Sequence, residues 1–257
     1  MDAITVTKLI QLNDQFYQTF ALQFSLTRQR LQPGVHKILK EGFVAHQLPI
    51  QKDSNILELG CGNGELARSL ALRGHQGRYT GLDFNAKLLE QAQQSLPDNF
   101  QASFYLVNLA SSDWERSLAF CPYDLVLAFA VLHHLPGESL RRQVLEKVHR
   151  LLAPDGCFIH SEWQFLNSPR LRERIQPWEQ AGLSAADVEP GDYLLDWREG
   201  GYGLRYAHHF SEAELEALAR STGFQVIETF HSDGEGGKLG LYQLWKPIKQ
   251  GVAAGSG

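Results

Sequence analysis

The chain has 257 residues, of which 43% are hydrophobic and 21% are charged, and its formal net charge is −5. This composition is typical of a globular protein with one substantial core, and the acidic balance excludes attachment to nucleic acid or to an anionic membrane by overall charge alone. The three cysteines are far apart and include no CxxC pair, so a reducing, cytoplasmic setting is expected. Neither a signal peptide nor a run of about 20 apolar residues is recognisable, so no membrane association is predicted.

The predicted elements begin with helices in the first 50 residues. Apolar residues recur at intervals of three and four from Leu9 to Phe24, as on one stripe of a helix, and Pro33 separates this helix from a second one. Strands and helices then alternate over residues 54–163, which predicts a parallel sheet covered by helices on both faces. Right-handed crossovers make this a doubly wound, Rossmann-like α/β fold that binds its ligand at the carboxyl ends of the strands.

The alternation weakens after this core. Residues 167–209 are interpreted as an insertion that forms the substrate side of the molecule. Over residues 210–248 a capped helix is followed by two strands joined by a Gly-rich turn, which predicts a C-terminal antiparallel strand pair on an otherwise mostly parallel sheet. We therefore expect one domain over residues 1–250, with an N-terminal helical extension and a disordered tail at residues 251–257.

The stretch ILELGCGNGELA places Gly60, Gly62 and Gly64 between a predicted strand and a predicted helix. A dinucleotide-binding fingerprint needs its third glycine or alanine where Glu65 stands, so this fingerprint fails. Glu58, two residues before the first glycine, would also repel a pyrophosphate. A cationic ligand reverses that logic, and S-adenosylmethionine carries a sulfonium and an ammonium group without any phosphate.

A second acid supports the same cofactor. Asp83 ends the next predicted strand, in YTGLDFN, where a carboxylate can accept hydrogen bonds from both ribose hydroxyls of an adenosine. The Gly-rich loop, the acid and the strand–helix–strand spacing together predict S-adenosylmethionine as the cofactor. The competing interpretation is a Gly-rich turn next to two solvated acids.

Five segments resemble class I S-adenosylmethionine-dependent methyltransferases, in the same order along the chain: ILELGCGNG, GLDFN, LVNLA, YDLVLAFAVLHHL and LLAPDGCFIHSEW. The resemblance implies that Asp83 binds the ribose, that Phe84 packs on the adenine and that Asn108 accepts from the adenine amino group. Phe129, Ala130 and His133 would line the methyl-donor end. The cofactor-binding residues implied by the family are Glu58, Gly60, Cys61, Gly62, Gly64, Asp83, Phe84, Asn108, Leu109 and Phe129.

The flanking segments FSLTRQRLQPGVHKIL and LRYAHHFSEAELEALARSTGF resemble, more narrowly, the tRNA wobble-uridine carboxymethyl methyltransferases. That family esterifies the carboxylate of 5-carboxymethyluridine, and its eukaryotic members use a small zinc-binding activator protein. The resemblance implies that Arg28 contacts the methionine carboxylate of the cofactor. It also implies a substrate face formed by Arg205, Tyr206 and His208.

Adjacent histidines, His133 with His134 and His208 with His209, raise the question of a metal site. Neighbouring residues on a strand point to opposite faces, and no carboxylate or cysteine stands at ligand spacing, so no metal is expected. His133 and His208 are interpreted either as substrate-side residues or as packing residues. Trp163, at the end of a predicted strand, is either a wall of the site or part of the core.

The chemistry of the acceptor decides which residues are catalytic. A carboxylate acceptor is already ionised at neutral pH, so it needs no general base, and Arg205 could orient it by bidentate contact. For a phenol or an amine, His133 or His208 would be the candidate base. We therefore predict Arg205, His208 and His133 as catalytic residues, and Tyr206 and Trp163 as substrate-binding residues.

Two classes of acceptor remain open: a carboxylate of a modified tRNA wobble uridine, or a carboxylate, hydroxyl or amine of a small metabolite. The flanking segments favour tRNA, whereas the acidic net charge favours a metabolite. Arg170, Arg172 and Arg174 form a basic run that either contacts RNA or is a solvated helix face. The same two alternatives hold for Arg141, Arg142, Lys147 and Arg150, on the preceding predicted helix, and these residues are expected to be solvated.

Overall fold

The computed structural model describes residues 1–27, 30–42, 50–118 and 122–249. The predicted cofactor contact Arg28 and the predicted tail at residues 251–257 lie outside these ranges. Among the described residues, no helix has the length and apolar character needed to cross a bilayer.

The described chain contains seven α-helices and ten strands. The helices are α1 (Ala3–Thr27), α2 (Pro33–Glu41), α3 (Glu65–Leu72), α4 (Ala86–Gln94), α5 (Glu138–Leu151), α6 (Pro169–Arg172) and α7 (Glu212–Ser221). The strands are β1 (Ile56–Leu59), β2 (Tyr79–Asp83), β3 (Ala102–Leu106), β4 (Tyr123–Phe129), β5 (Leu152–Trp163), β6 (Ile175–Gln176), β7 (Asp192–Trp197), β8 (Gly203–His208), β9 (Phe224–Ser232) and β10 (Gly240–Pro247). Short 3₁₀ turns lie at Trp114–Ser117, Leu132–His134, Phe165–Asn167 and Trp178–Ala181.

The main sheet has seven strands in the order β3-β2-β1-β4-β5-β10-β9. The first five are parallel to one another, and β10 runs antiparallel to both β5 and β9. This arrangement confirms the predicted Rossmann-like fold with its C-terminal antiparallel pair. The strand order reverses between β1 and β4, and in such sheets the crevice at the reversal point is where ligands bind.

Two apolar cores cover the two faces of this sheet. Successive residues of a strand point to opposite faces, so Leu57 joins a cluster that includes residues of α5 and α7, whereas Ile56 joins a cluster that includes residues of α2 and α3. Trp245 of β10 is fully buried in the first cluster. Burial on both faces holds the strand ends, and hence the loops after β1, β2 and β4, in fixed positions.

A second, three-stranded antiparallel sheet, β6-β7-β8, is formed within the segment interpreted as an insertion. Helix α1 is joined to it by Asn13, whose Oδ1 accepts from the Tyr206 backbone N–H at 2.8 Å and whose Nδ2 donates to the Tyr206 carbonyl at 3.2 Å. One amide side chain thus pairs with a strand residue as a neighbouring strand would. This contact fixes α1 relative to β8.

Candidate functional site

The Gly-rich loop between β1 and α3 is a tight left-handed turn. Gly60, Gly62 and Gly64 have φ angles of 68°, 54° and 76°, a region that side chains disfavour. A Cβ atom at Gly60 would lie 2.7 Å from a methyl carbon of Val131, whereas one at Gly62 would have nothing within 4 Å. The loop therefore packs closely on one side and leaves open space beside Gly62.

Asp83, at the end of β2, ties this loop to the next strand. Its Oδ2 accepts from the Gly62 backbone N–H at 2.9 Å, and its Oδ1 accepts from the Asn85 backbone N–H at 2.9 Å. Burial raises the pKa of this carboxyl group. A carboxylate offers about four acceptor sites, so Asp83 can bind both loops and still accept from two ribose hydroxyls. Asn85 is the N-cap residue of α4, and its side-chain oxygen accepts from the backbone N–H groups of Lys87 and Leu88.

A cavity of about 240 Å³ lies at the carboxyl ends of β1, β2 and β4. The predicted cofactor residues that line it are Gly60, Cys61, Gly62, Asp83, Phe84, Asn108, Leu109 and Phe129. Asn108 Oδ1 already accepts from the Ala110 backbone N–H at 2.9 Å, so any bond to an adenine amino group would use its second lone pair. Helix α1 supplies the remaining wall through Ile10, Asn13, Asp14 and Tyr17.

Glu58 lies behind the loop and is not among the residues that line this cavity. It is almost fully buried and accepts a hydrogen bond from the Tyr79 hydroxyl. The pKa of Glu58 is raised to about 8, mainly by burial; the bond from Tyr79 opposes this rise and the nearby charge of Asp83 adds to it. Gly64 is the N-cap residue of α3 and is likewise outside the cavity wall. For both residues, direct contact with a cofactor stays a prediction.

A second cavity, of about 120 Å³, adjoins the first and shares Phe129, Ala130 and His134 with it. We call it the acceptor pocket. Its other walls are Gln32, His133, Ser161, Glu162, Trp163, Arg205, Asp233, Leu239, Gly240 and Tyr242. The structure therefore brings Arg205, His133 and Trp163, which sequence reasoning selects separately, into one pocket.

Arg205 is the buried cation of the acceptor pocket and is 7% exposed. Its guanidinium carbon lies over the rings of Trp163 at 4.5 Å, Phe16 at 5.4 Å and Trp197 at 5.6 Å. Aromatic faces attract a guanidinium group and restrict its orientation. Three elements, α1, β5 and β7, thus hold one cation in place.

Ala130 separates the two cavities in an unusual backbone conformation. Its φ angle is 59°, which is uncommon for a residue other than glycine. Its N–H lies 3.0 Å from the Ser161 carbonyl oxygen and 3.1 Å from Ser161 Oγ. Backbone held in this way is concentrated at functional sites, where the surrounding contacts compensate for its cost.

Tyr206 and His208 do not reach the acceptor pocket, which corrects two predictions. Tyr206 is fully buried, and its hydroxyl donates to Asp192 Oδ1 at 2.7 Å. His208 Nδ1 lies 2.7 Å from the same oxygen, and its Nε2 lies 2.7 Å from Glu214 Oε1. Alternation along β8 turns Arg205 towards the pocket and Tyr206 away from it, and both nitrogens of His208 are engaged by carboxylates. His208 therefore clamps three elements together and is not placed as a base.

Burial is the largest influence on the pKa of His208 and lowers it, but the hydrogen bonds with Asp192 and Glu214 outweigh this and leave the pKa raised. An imidazolium ion between two carboxylates is stabilised by charge-assisted hydrogen bonds. His208 therefore contributes to stability in its protonated form.

Residues that sequence reasoning missed complete the site. Glu162 contacts His133 in the acceptor pocket, with Oε2 2.9 Å from Nδ1. Tyr17 of α1 lies in the cofactor cavity, and its hydroxyl is 2.7 Å from His134 Nε2. Asp233 accepts from the Gly34 backbone N–H at 2.9 Å and from the Tyr242 hydroxyl at 2.6 Å. Only for Glu162 does the sequence hold a signal, because it directly precedes Trp163 at a strand end.

The basic residues divide between surface and interior. Arg170 and Arg172 are exposed, whereas Arg174 donates to Asp196 at 3.3 Å. The expectation of solvated residues on α5 is wrong for Arg141 and Lys147, which are buried. Arg141 pairs with Glu189 at 2.8 Å, and Lys147 donates to the backbone carbonyls of Ser111 and Ser112. Among the described residues, no group of three or more His, Cys, Asp or Glu side chains could hold a metal ion.

The sheet order, the left-handed glycine loop and the acid after β2 are features expected of an α/β fold that binds a nucleoside. Residues 57–158 match the profile of a family described as a methyltransferase domain. A methyltransferase of Encephalitozoon cuniculi is 25% identical over 83% of this chain and 87% of its own length. A trans-aconitate 2-methyltransferase of an Azoarcus species is 27% identical over 56% of this chain, which spans about half (54%) of that relative's length.

Solved structures agree on the fold. The structure of an S-adenosylmethionine-dependent methyltransferase of Methanosarcina mazei is 24% identical in sequence and superposes with a TM-score of 0.62. The match covers 86% of this chain and 100% of the other. A methyltransferase of Haloferax volcanii in complex with the Trm112 methyltransferase activator is 16% identical over 93% of this chain and 98% of its own, at a TM-score of 0.63. These comparisons confirm the predicted reaction, methyl transfer, and the predicted cofactor, S-adenosylmethionine, on a Rossmann-like fold.

Proposed function

We propose that this enzyme transfers a methyl group to a carboxylate oxygen of a small organic acid and forms a methyl ester. The observation that carries the proposal is the buried guanidinium of Arg205, held between three aromatic rings in the pocket that adjoins the cofactor cavity. Arginine matches the planar geometry of a carboxylate with two parallel hydrogen bonds.

Apart from positioning the acceptor carboxylate, the reaction requires few other contributions from the protein. S-adenosylmethionine, when bound, supplies an electrophilic methyl group. An organic acid with a pKa of about 4 is ionised at neutral pH, so its oxygen is nucleophilic without a general base. The wall shared by the two cavities, formed by Phe129, Ala130 and His134, lies where acceptor and cofactor would meet. Holding both reactants in line and excluding water supply most of the acceleration in such a reaction.

The size of the pocket and one relative support a small acid. The acceptor pocket measures about 120 Å³, which suits a compact acceptor. The relative named for trans-aconitate, a small polycarboxylic acid, is 27% identical over 147 residues. Of the two acidic side chains that line the pocket within the described chain, Glu162 has a pKa that burial raises well above its ordinary value, and Asp233 accepts two hydrogen bonds from the protein.

The second candidate is the carboxylate of a modified tRNA wobble uridine. It is supported by the flanking segment LRYAHHF, which contains Arg205, and by the neighbour solved with an activator subunit. Both candidates use the same carboxylate chemistry at Arg205. They differ in whether the acceptor is a free acid or an RNA, and in whether a small activator protein is needed.

The test is an acceptor screen with radiolabelled S-adenosylmethionine. One arm offers a panel of mono-, di- and tricarboxylic acids, and the other offers bulk tRNA with and without cell extract as a source of an activator. We expect label in one or more small acids. Label in tRNA alone would replace the leading proposal by the second candidate. If neither arm incorporates label while hydroxyl or amine compounds do, the carboxylate proposal is wrong.

A further inference from the structure

A buried carboxyl group joins two histidines at the end of β5. Glu162 Oε2 lies 2.9 Å from His133 Nδ1 and 3.1 Å from the His133 backbone nitrogen, while Glu162 Oε1 lies 2.9 Å from His160 Nδ1. All three side chains are essentially inaccessible to solvent, at 0–1% exposure. Of the two histidines, only His133 also lines the acceptor pocket.

A neighbouring backbone group indicates where the protons lie. The Trp163 N–H points to His133 Nδ1 at 3.3 Å. A backbone N–H can only donate, so it favours the tautomer in which Nδ1 carries no proton. A carboxylate oxygen 2.9 Å from the lone pair of an unprotonated Nδ1 would be repelled, so Glu162 Oε2 carries a proton and shares that lone pair with the Trp163 N–H. The other oxygen, Oε1, remains an acceptor for the Nδ1–H of His160.

The electrostatic surroundings agree with a protonated Glu162. Burial is the dominant influence and raises the pKa of Glu162 well above its ordinary value; Glu214 raises it too, and the His133 N–H and Arg141 only partly oppose this. Burial also lowers the pKa of His160 to about 3, so His160 is neutral. The cluster then holds no net charge, which is the inexpensive state for groups this deeply buried.

We propose that Glu162 is a positioning residue that keeps its proton at neutral pH and uses it to donate a hydrogen bond to His133 Nδ1. His133 then carries its own proton on Nε2. From Nε2 it donates a hydrogen bond to the acceptor carboxylate beside Arg205. The final step of this proposal rests on the proposed carboxylate acceptor. It makes His133 a hydrogen-bond donor and removes it from consideration as a general base. The pocket then presents two donors, one charged and one neutral, which suits an anionic acceptor.

The protonation pattern can be measured without any acceptor. In protein labelled with ¹⁵N-histidine, long-range ¹H–¹⁵N spectra distinguish the two neutral tautomers and the imidazolium ion. We expect a neutral ring with the proton on Nε2 for His133 and on Nδ1 for His160 at pH 7, with His133 assigned by the H133Q variant. A proton on Nδ1 of His133, or an imidazolium ion there, would overturn the proposal whatever the acceptor screen finds.

The second experiment compares Glu162→Leu, Glu162→Gln and the control Glu146→Gln, which changes an exposed residue of α5. Leucine removes the donor, and we expect kcat/KM for the acid found in the screen to fall about tenfold or more, mainly through KM. Glutamine keeps a donor towards His133 Nδ1 and an acceptor towards His160, but its amide nitrogen cannot accept from the His133 backbone N–H as Oε2 does, so it should recover part of that loss. If E162Q is as impaired as E162L while both remain folded, Glu162 acts as an anion and the proposal fails. A negative acceptor screen with the expected tautomers would instead reject only the proposed function.

Discussion

Replacing Arg205 by methionine removes the cation of the acceptor pocket and little else. The guanidinium is stacked against Trp163, Phe16 and Trp197. An unbranched apolar side chain of similar length can occupy that space between the rings. We therefore expect R205M to fold, with a melting temperature close to that of the wild type.

The expected loss of activity follows from the contacts that disappear. Hydrogen bonds to a charged group contribute about 1.5–3 kcal/mol. Losing a bidentate guanidinium–carboxylate contact should therefore lower kcat/KM for the organic acid by about 10- to 150-fold. R205K keeps the charge but loses the planar pair of donors and part of the stacking, so we expect an intermediate loss.

The assay is steady-state methyl transfer to the acid found in the screen, with S-adenosylhomocysteine affinity measured in parallel. Arg172→Met is the matched control, because Arg172 is an exposed arginine of the same segment and lies outside both cavities. R172M should behave as the wild type, and R205M should keep its affinity for S-adenosylhomocysteine. If R205M retains kcat/KM within about threefold, the acceptor does not bind Arg205 and the argument from the aromatic cage is refuted.

Three further predictions concern the cofactor cavity and stability. Asp83→Asn should weaken S-adenosylhomocysteine binding at least about tenfold by calorimetry, because one of the two carboxylate oxygens becomes an N–H donor. Gly62→Ala should lower the free energy of unfolding in urea by about 1–2 kcal/mol, since its φ angle of 54° disfavours a side chain, and it should also weaken the same ligand. For His208, whose folded-state pKa is raised, the stabilisation by Asp192 and Glu214 is complete below the unfolded-state pKa of about 6.5 and is lost as pH rises through the folded-state pKa. The unfolding free energy of wild type should therefore fall more steeply above pH 6.5 than that of H208Q.

A specific result would contradict each of these three predictions. Unchanged affinity in D83N, with the exposed variant D98N as control, would mean that Asp83 only ties the loop to β2. A G62A protein of wild-type stability would show that the loop relaxes around the new methyl group. Parallel pH profiles for wild type and H208Q would mean that His208 stays neutral between its two carboxylates.

The cofactor cavity could be predicted because its parts are local. Gly60, Gly62 and Asp83 act through backbone conformation and strand ends, which the alternation of strands and helices already locates. The orientation of the Glu58 side chain could not be predicted, because its burial depends on Tyr79, a partner on the neighbouring strand. The sequence could therefore identify the charge but not the side of the loop to which it points.

The acceptor pocket could be predicted only in part, because its residues come from distant segments. In the segment RYAHHF, successive side chains are predicted to point to opposite faces of a strand. The sequence does not indicate which of the two faces lines the pocket. That choice depends on Asp192 and Glu214, which engage His208, and on Asn13 of α1, which fixes the backbone of Tyr206. These contacts span up to 193 positions along the chain, beyond the reach of any local pattern.

The most direct test of the account is the bond formed in the product. The acid methylated by the wild-type enzyme should carry its label in an ester, so mild alkali should release the incorporated methyl groups quantitatively as methanol. Release in this form, with at least about tenfold less product from R205M, is the predicted result. A label that stays attached to the acceptor after alkali would place the methyl group in an ether, on nitrogen or on carbon, and would contradict the proposed function.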